Sequence, residues 1–471
     1  MTPPRLRRLT PPSRDICPLK NWMGPMEKVH LITLGCPKNV VDSELMLGAL
    51  AGAGFEVAQD AAEADVVVVN TCAFIEAAKR ESIDRVLEAA ELKKRSQGRR
   101  LVVAGCLAQR YGGELRELLP EVDIFVGTGN FLDLPDLLQS ARASRPRPVP
   151  YPGAAHLLPG LEAPRARTGD FFSAYLKISE GCNHKCSFCI IPKIRGPHQS
   201  RPLAELVAEA AMLAGQGVRE LNLIAQDLTA YGRDLDPRVS LAALLRELAG
   251  VEGLHWIRLL YCYPNFVTDE LLATVADLPQ VVNYIDMPLQ HADDGMLRAM
   301  RRERAGAALG KLLERIRRRI PNLTLRTSFI VGFPGETDEA FARLRDFVRE
   351  HQFDRVGVFT YSREENTAAY DLPGQIPERV KRARRAELMR AQAEISIAKN
   401  RELVGRELEV LVEGSLSGRV PRLRGRMPGQ APEIDGAVFL TGEAEPGEFV
   451  RARIGKASTY DLHGTMTGAL N

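Results

Sequence analysis

Cys182, Cys186 and Cys189 stand in the run Cys182-Asn183-His184-Lys185-Cys186-Ser187-Phe188-Cys189. Three thiolates at this C-x3-C-x2-C spacing are soft ligands that suit iron–sulfur clusters. A four-iron cluster held by three local thiolates keeps one iron without a protein ligand, and an open metal position is where substrate chemistry happens. Two other chemistries fit the same residues. One is a zinc knuckle; the other is a closed electron-transfer cluster whose fourth ligand lies elsewhere, with Cys262 available. A second set of thiols is dispersed. Cys36 ends the apolar run that starts at Val29, Cys72 ends the run Asp65 to Asn70, and Cys106 ends Leu101 to Gly105. These cysteines are 36 and 34 residues apart, one β/α unit each. A single cysteine in such a place is usually a small buried hydrophobe. Three at the same point of successive units point to a second metal cluster, again with one iron unclaimed by protein.

The elements that must carry these thiols are legible in the hydrophobic pattern. From Lys28 to about Ser140 the pattern is β/α: strands at Val29–Leu34, Asp65–Asn70, Leu101–Gly105 and Val122–Val126, with helices at Asp42–Ala51, capped by Asp42 or Ser43, and Ala77–Arg95. Strands alternating with helices imply a doubly wound parallel sheet, whose ligand sites lie beyond the carboxyl ends of the strands. The Pro-, Arg- and Ala-rich stretch 143–169 reads as a linker. Alternation resumes from Phe171. The run Ala174–Ser179 and later runs at 221–227, 256–261, 284–287, 325–331 and 356–359 give six strands, enough for a partial (β/α)6 barrel. Such barrels work at the carboxyl ends of their strands. Cys182, Gln226, Asp227, Gln290, His291 and the turn from Gly332 to Glu336 all fall there. Pro377 to Leu403 reads as a long basic helix with a solvated charged face, and three strands at 407–413, 438–441 and 449–454 form a small all-β module.

Composition bounds the class. The chain has 471 residues, 45% hydrophobic and 26% charged, with a net charge of +3, which reads as a soluble multidomain protein without a strong polyanion signature. No apolar run approaches the roughly 18 residues of a membrane span. The Pro- and Arg-rich opening has no secretory core, so residues 1–26 read as a disordered extension in which Cys17 has no role. Eight irregularly spaced cysteines in a chain of this size point to metal or redox chemistry in a reducing cytoplasm. Nine Lys and Arg against ten Asp and Glu after residue 400 make the last module a poor generic RNA clamp and a better match for a basic protein, although Arg419, Arg422, Arg424 and Arg426 could touch phosphate.

The Cys182–Cys189 spacing ahead of β/α alternation resembles the radical S-adenosylmethionine (SAM) superfamily. The two thiol sets, partial barrel and terminal β module together resemble its methylthiotransferases across residues 27–471. That resemblance implies an N-terminal methylthiotransferase domain at 27–142, a radical core at 170–400 and a TRAM domain at 401–471. Gly35-Cys36-Pro37-Lys38-Asn39, Cys72-Ala73-Phe74-Ile75-Glu76 and Ala431-Pro432-Glu433-Ile434-Asp435-Gly436 are similar to the branch that modifies a ribosomal protein; the tRNA branches typically carry Gln-Met or Lys-Val after the first cysteine. The resemblance implies that both metal clusters are [4Fe–4S] clusters. One, on Cys182, Cys186 and Cys189, would bind and cleave SAM; an auxiliary one, on Cys36, Cys72 and Cys106, would carry the sulfur. By the same resemblance SAM would be both methyl donor and radical source. The product it implies is a methylthio group on the β-carbon of an aspartate in a small-subunit ribosomal protein, free or within the subunit. A sulfur donor and a low-potential electron donor would be needed, with no membrane and no direct tRNA substrate. Also on that resemblance, Gln226 and Asp227 would sit near the SAM amine, Gly332 and Glu336 near the adenine, and Gln290 in the pocket. His184 is expected to be a plain loop residue and Cys262 a buried strand residue. A tRNA adenosine methylthiotransferase and a non-enzymatic iron–sulfur protein docking on the ribosome are the competing readings.

Overall fold

The structure is a computed structural model that describes residues 26–96, 98–143, 159–302, 306–416 and 422–470. Cys17, the expected N-terminal extension up to residue 25, most of the expected linker and Arg419 lie outside the described residues.

The first domain is a five-stranded sheet: β1 (Lys28–Thr33), β2 (Glu56–Val57), β3 (Val66–Thr71), β4 (Arg100–Gly105) and β5 (Ile124–Val126). All strands are parallel, and the order β2-β1-β3-β4-β5 reverses direction between β1 and β3. That reversal opens a crevice at the carboxyl ends of β1 and β3. β3, Val-Val-Val-Val-Asn-Thr, is buried throughout, as a strand covered on both faces must be. The helices are α1 (Pro37–Gly52), α2 (Glu76–Lys94), α3 (Cys106–Leu118) and α4 (Leu134–Ala143). α1 begins five residues earlier than the capping expectation: Cys36 is its N-cap and Pro37 its first residue. Proline suits that position because its missing N–H would be unpartnered there anyway. Asp42 and Ser43 are therefore inside the helix and buried, where they bind other elements.

The central domain carries β6 (Ser173–Lys177), the short antiparallel pair β7 (Ser179–Glu180) and β8 (Gln199–Ser200), then β9 (Glu220–Ile224), β10 (Trp256–Leu259), β11 (Val281–Asp286), β12 (Thr324–Val331) and β13 (Arg355–Thr360). Its sheet runs β6-β9-β10-β11-β12-β13, all parallel and without reversal. Winding in one direction curls a sheet as in a barrel, and six strands leave it open. Helices α5 (Ile191–Arg195), α6 (Leu203–Gly215), α7 (Leu241–Ala249), α8 (Asp269–Asp277), α9 (Asp294–Ala299), α10 (Gly306–Arg319) and α11 (Asp338–His351) alternate with the strands. α12 (Glu378–Arg401) closes the domain. Its charge is not all solvated. Lys381 and Arg384 are buried, donating to the Tyr361 carbonyl at 2.8 Å and to Glu336 at 2.6 Å, because the helix lies across β13 and the turn after β12.

The C-terminal module is a closed barrel of β14 (Glu407–Leu416), β15 (Arg422–Arg426), β16 (Val438–Thr441), β17 (Phe449–Ala457) and β18 (Leu462–Leu470). β15 and β18 go beyond the three strands that the hydrophobic pattern predicts. Arg-Leu-Arg-Gly-Arg and a glycine-bearing Leu-His-Gly-Thr-Met-Thr-Gly-Ala-Leu give little apolar alternation, and only barrel closure gives their backbones partners. One hydrophobic cluster joins all three domains through Leu45, Trp256, Tyr284, Leu411 and Phe449. Among the described residues no helix is long and apolar enough to cross a membrane.

Candidate functional site

Cys36, Cys72 and Cys106 follow β1, β3 and β4 at the crevice of the first sheet. One side chain braces all three. Asn39 donates to the carbonyls of Leu34 at 2.7 Å and Thr71 at 3.1 Å, and its Oδ1 lies 3.9 Å from Cys106 Sγ. The loops approach so closely that a Cβ on Gly35, held at φ +96°, would sit 2.8 Å from the Cys72 Cβ. Burial pushes the Cys72 thiol up to about 12, with the neighbouring Cys106 adding to the shift. Burial likewise raises Cys106. Such thiols ionise readily only when a cation arrives, so binding would release protons.

Cys182, Cys186 and Cys189 occupy one loop at the carboxyl end of the central sheet. Its entry is fixed by Gly181 at φ +78°, where a Cβ would meet the Pro197 carbonyl oxygen at 2.0 Å. Burial raises Cys182 to about 11 and Cys189 to about 12. The loop is braced by residues that the cysteine spacing does not reveal. His184 donates to Asp227 at 2.7 Å and stacks on Tyr263 at a centroid distance of 3.7 Å. Arg302 covers the Tyr263 ring at 4.2 Å and points Nη1 at Cys186 Sγ, 3.7 Å away. His184 is a loop residue, as expected, and these contacts fix its side chain.

Each set therefore offers three soft donors with an arginine beside one of them, Arg302 at Cys186 and Arg195 at Cys106. Among the described residues no three His, Cys, Asp or Glu side chains are arranged to hold a single metal ion. Three soft thiolates are the donor set that an iron–sulfur cluster takes. Cys262 lies just past β10, buried in the central hydrophobic core, where burial raises its thiol well above the ordinary value.

The other residues selected from the sequence divide into two groups. Gln226 follows β9, donates to Glu180 at 2.5 Å and keeps a buried Oε1 without a hydrogen-bond partner. Gln290 follows β11 at φ +74°, its backbone paired with Ser328 and Ile330. Gln226 thus keeps an unpartnered polar atom, whereas Gln290 is fixed by its backbone. Asp227 and Glu336 are already engaged. Asp227 accepts from His184 and from the Thr229 amide and hydroxyl. Glu336 accepts from His291 at 3.0 Å, the Gly332 amide at 2.6 Å and Arg384 at 2.6 Å, which makes it a brace for the turn after β12.

A buried ionic cluster joins the two thiol sets. Asp42 from α1 meets Lys177 at 2.7 Å and Arg195 at 2.7 Å; Glu180 meets Lys177 at 2.8 Å and Arg195 at 3.1 Å. Burial alone would raise Glu180; Lys177 and Arg195 overcome it and hold the carboxyl well below its ordinary range. Lys38, next to Cys36, reaches the Ala225 carbonyl at 3.3 Å and covers the Tyr261 ring at 3.9 Å. Asp42, Arg195 and Lys38 thus bring the carboxyl ends of the two sheets together. A second junction anchors the C-terminal barrel: Glu220 binds Arg258 at 3.1 Å and Arg426 at 2.5 Å. That removes Arg426 from the surface cluster expected to touch phosphate, whereas Arg422 and Arg424 stay exposed.

Three family models match in succession: the Uncharacterized protein family UPF0004 over residues 28–127, the Radical SAM superfamily over 176–348 and the TRAM domain over 404–467. Among solved structures, the radical S-adenosylmethionine methyltransferase TsrM from Kitasatospora setae shares the fold at a TM-score of 0.54 and 17% identity, covering 73% of this chain and 77% of its own. Fold and site thus define a radical SAM protein with an added cysteine-bearing domain and a terminal β barrel. Relatives narrow the class. The ribosomal protein uS12 methylthiotransferase RimO of Geobacter sulfurreducens is 49% identical over 441 residues, spanning 93% of this chain and 98% of the relative. The namesake from Anaeromyxobacter sp. (strain K) is 52% identical over 440 residues, spanning 93% of each. The chain belongs to this RimO family of ribosomal protein uS12 methylthiotransferases.

Proposed function

We propose that the chain is a radical SAM transferase that places a methylthio group on the β-carbon of an aspartate in the small-subunit ribosomal protein uS12, in the cytoplasm. The observation that carries this reading is the pairing of two separate three-thiol sets on facing strand ends, together with family membership at about half identity over nearly the whole chain. Cys182, Cys186 and Cys189 would hold one [4Fe–4S] cluster, and Cys36, Cys72 and Cys106 a second. When bound, these groups supply reductive cleavage of SAM to a carbon radical and the sulfur that is methylated and transferred. Hydrogen abstraction from an unactivated C–H bond demands such cofactors, with the protein providing orientation and exclusion of water.

The chain's own residues do that work. Gln226 offers its free carbonyl oxygen to a donor such as the SAM ammonium, while Glu180 fixes its other end. Gly332, at φ +73°, lets the chain turn after β12 beneath the Lys381 side chain, and Glu336 holds that turn in place. Lys38 and the Asp42–Arg195 contacts clamp the two sheets face to face, so a substrate segment entering the junction reaches both thiol sets. The domains would be 27–142, 170–400 and 401–471, and the sulfur and low-potential electrons would come from partner molecules. Mass spectrometry of small-subunit ribosomal proteins from cells with and without the gene tests this. An aspartate peptide of uS12 carrying a methylthio increment, lost with the gene, is the expected result; loss of a methylthio-adenosine from tRNA instead would transfer the same chemistry to the tRNA reading.

A further inference from the structure

The guanidinium of Arg195 has two jobs that a simple structural cation would not need. It is buried, and its Nη1 serves Asp42 and Glu180 at 2.7 and 3.1 Å. Its Nη2 turns the other way, donating to Asn39 Oδ1 at 2.6 Å and to Cys106 Sγ at 3.5 Å. Lys177 already binds both carboxylates, at 2.7 and 2.8 Å. Two cations therefore neutralise two anions, and what the arginine adds is the half of its fork that faces sulfur. A lysine ammonium is a single point donor; only a planar guanidinium can hold a carboxylate pair on one nitrogen and a thiolate on the other. Arg195 also comes from α5 of the central domain, whereas Cys106 belongs to the first.

We propose that Arg195 is a positioning residue that sets the reduction potential of the cluster on Cys36, Cys72 and Cys106, and so makes the behaviour of that cluster depend on the docked central domain. The inference rests on the reading of those three cysteines as cluster ligands. Hydrogen bonds to ligand sulfur and nearby net charge are the protein's main controls on such potentials. A donor and positive charge at Cys106 favour the reduced, more negative state of the cluster. The same guanidinium touches Glu180, which orients Gln226, so the contact runs unbroken from one thiol set to the expected SAM pocket.

The test uses the full-length chain carrying Cys182→Ala, Cys186→Ala and Cys189→Ala, anaerobically reconstituted with iron and sulfide, so that only the first-domain cluster is present. Its midpoint potential is measured by redox titration followed by electron paramagnetic resonance, with and without Arg195→Lys. The lysine keeps a cation for Asp42 and Glu180 and loses the sulfur contact. The expected result is unchanged iron content and a more negative midpoint in the lysine variant, with Arg302→Lys causing no shift. An unshifted midpoint with iron bound overturns the proposal. A background chain that binds no iron overturns the ligand reading itself, and the proposal with it. Should Arg195→Lys fail to fold, the charge-matched pair Glu180→Gln with Arg195→Met is titrated against Glu180→Gln alone, and the same negative shift is required.

Discussion

Cys182, Cys186 and Cys189 come from eight consecutive residues, whereas Cys36, Cys72 and Cys106 are gathered from three β/α units. The first set is shaped by its own loop: one glycine entry, a His184–Asp227 contact and a covering Arg302. The second set is shaped by the sheet. Its thiols stand together only because β1, β3 and β4 are neighbours in register, and because Asn39 and Arg195 tie their loops to one another and to the next domain. A local set tolerates changes elsewhere; a gathered set inherits every weakness of the scaffold. Both have an arginine beside one sulfur, but Arg302 is half-buried over an aromatic ring and Arg195 is buried among carboxylates. The local set is braced from within its own domain, and the gathered set by buried ions from two domains.

Breaking each set outright should separate the two halves of the reaction. Cys186→Ala should abolish formation of 5′-deoxyadenosine from SAM. Cys72→Ala should keep that cleavage and lose methylthiolation, as followed by mass spectrometry of a uS12 peptide. A Cys72→Ala variant that thiolates normally would dissolve the distinction.

The braces come next. Asp42→Ala strips a partner from both Lys177 and Arg195. Removing one member of a buried ionic cluster costs about 3–5 kcal/mol, and the loss should show as a lower unfolding midpoint together with reduced iron at the first-domain set. Asp227→Ala, at the local set, removes hydrogen bonds around a half-buried imidazole and should cost only about 1–3 kcal/mol, with the first-domain iron retained.

Glu220 sharpens the comparison from outside, since it lies apart from both thiol sets between Arg258 and Arg426. Burial alone would raise it, yet Arg426 and Arg258 bring it down from 4.5 to about 2. A carboxylate depressed in the folded state contributes stability above its unfolded value, and that stability is lost as pH falls through the folded one. The metal-free chain should therefore lose about 3 kcal/mol between roughly pH 5 and pH 2 from this group. Glu220→Gln should flatten that part of the pH profile of thermal unfolding, and iron should leave the difference unaltered.

The most local paired effect concerns the two glycines. Gly35→Ala and Gly181→Ala each force a side chain into a left-handed, crowded position, at about 1–3 kcal/mol of backbone strain with steric overlap added to it. Gly35→Ala should lower the iron bound by Cys36, Cys72 and Cys106 only, and Gly181→Ala that bound by Cys182, Cys186 and Cys189 only. Iron counts in backgrounds lacking the other set measure each.

Both sheets are legible in the β/α alternation except for the edge strand Glu56–Val57, because buried parallel strands are continuous apolar runs, as at Val66–Val69, whereas that edge is two exposed residues. Helix starts are less visible. The pattern places the first helix at Asp42, since a cysteine is an unusual cap and Pro37 marks a start only once Cys36 is known to be extended. The barrel strands Arg422–Arg426 and Leu462–Leu470 escape the pattern because closure, not hydrophobic alternation, stabilises them.

The sequence by itself determined the donor chemistry: six cysteines at two kinds of spacing, on strand ends, in a chain whose motifs match one branch of a family. Residue type and interval along the chain are enough for that, because ligand softness is intrinsic to sulfur and strand period is intrinsic to the backbone. Only the tertiary structure decided the environment. By local spacing Asp42 reads as a helix cap, Arg426 as a phosphate contact and Arg195 as nothing in particular. Each is an ion whose partner lies far along the chain, and Asp42 with Arg195 alone spans 153 residues. A charge's role depends on what is desolvated beside it, and desolvation is a property of packing that no local spacing records.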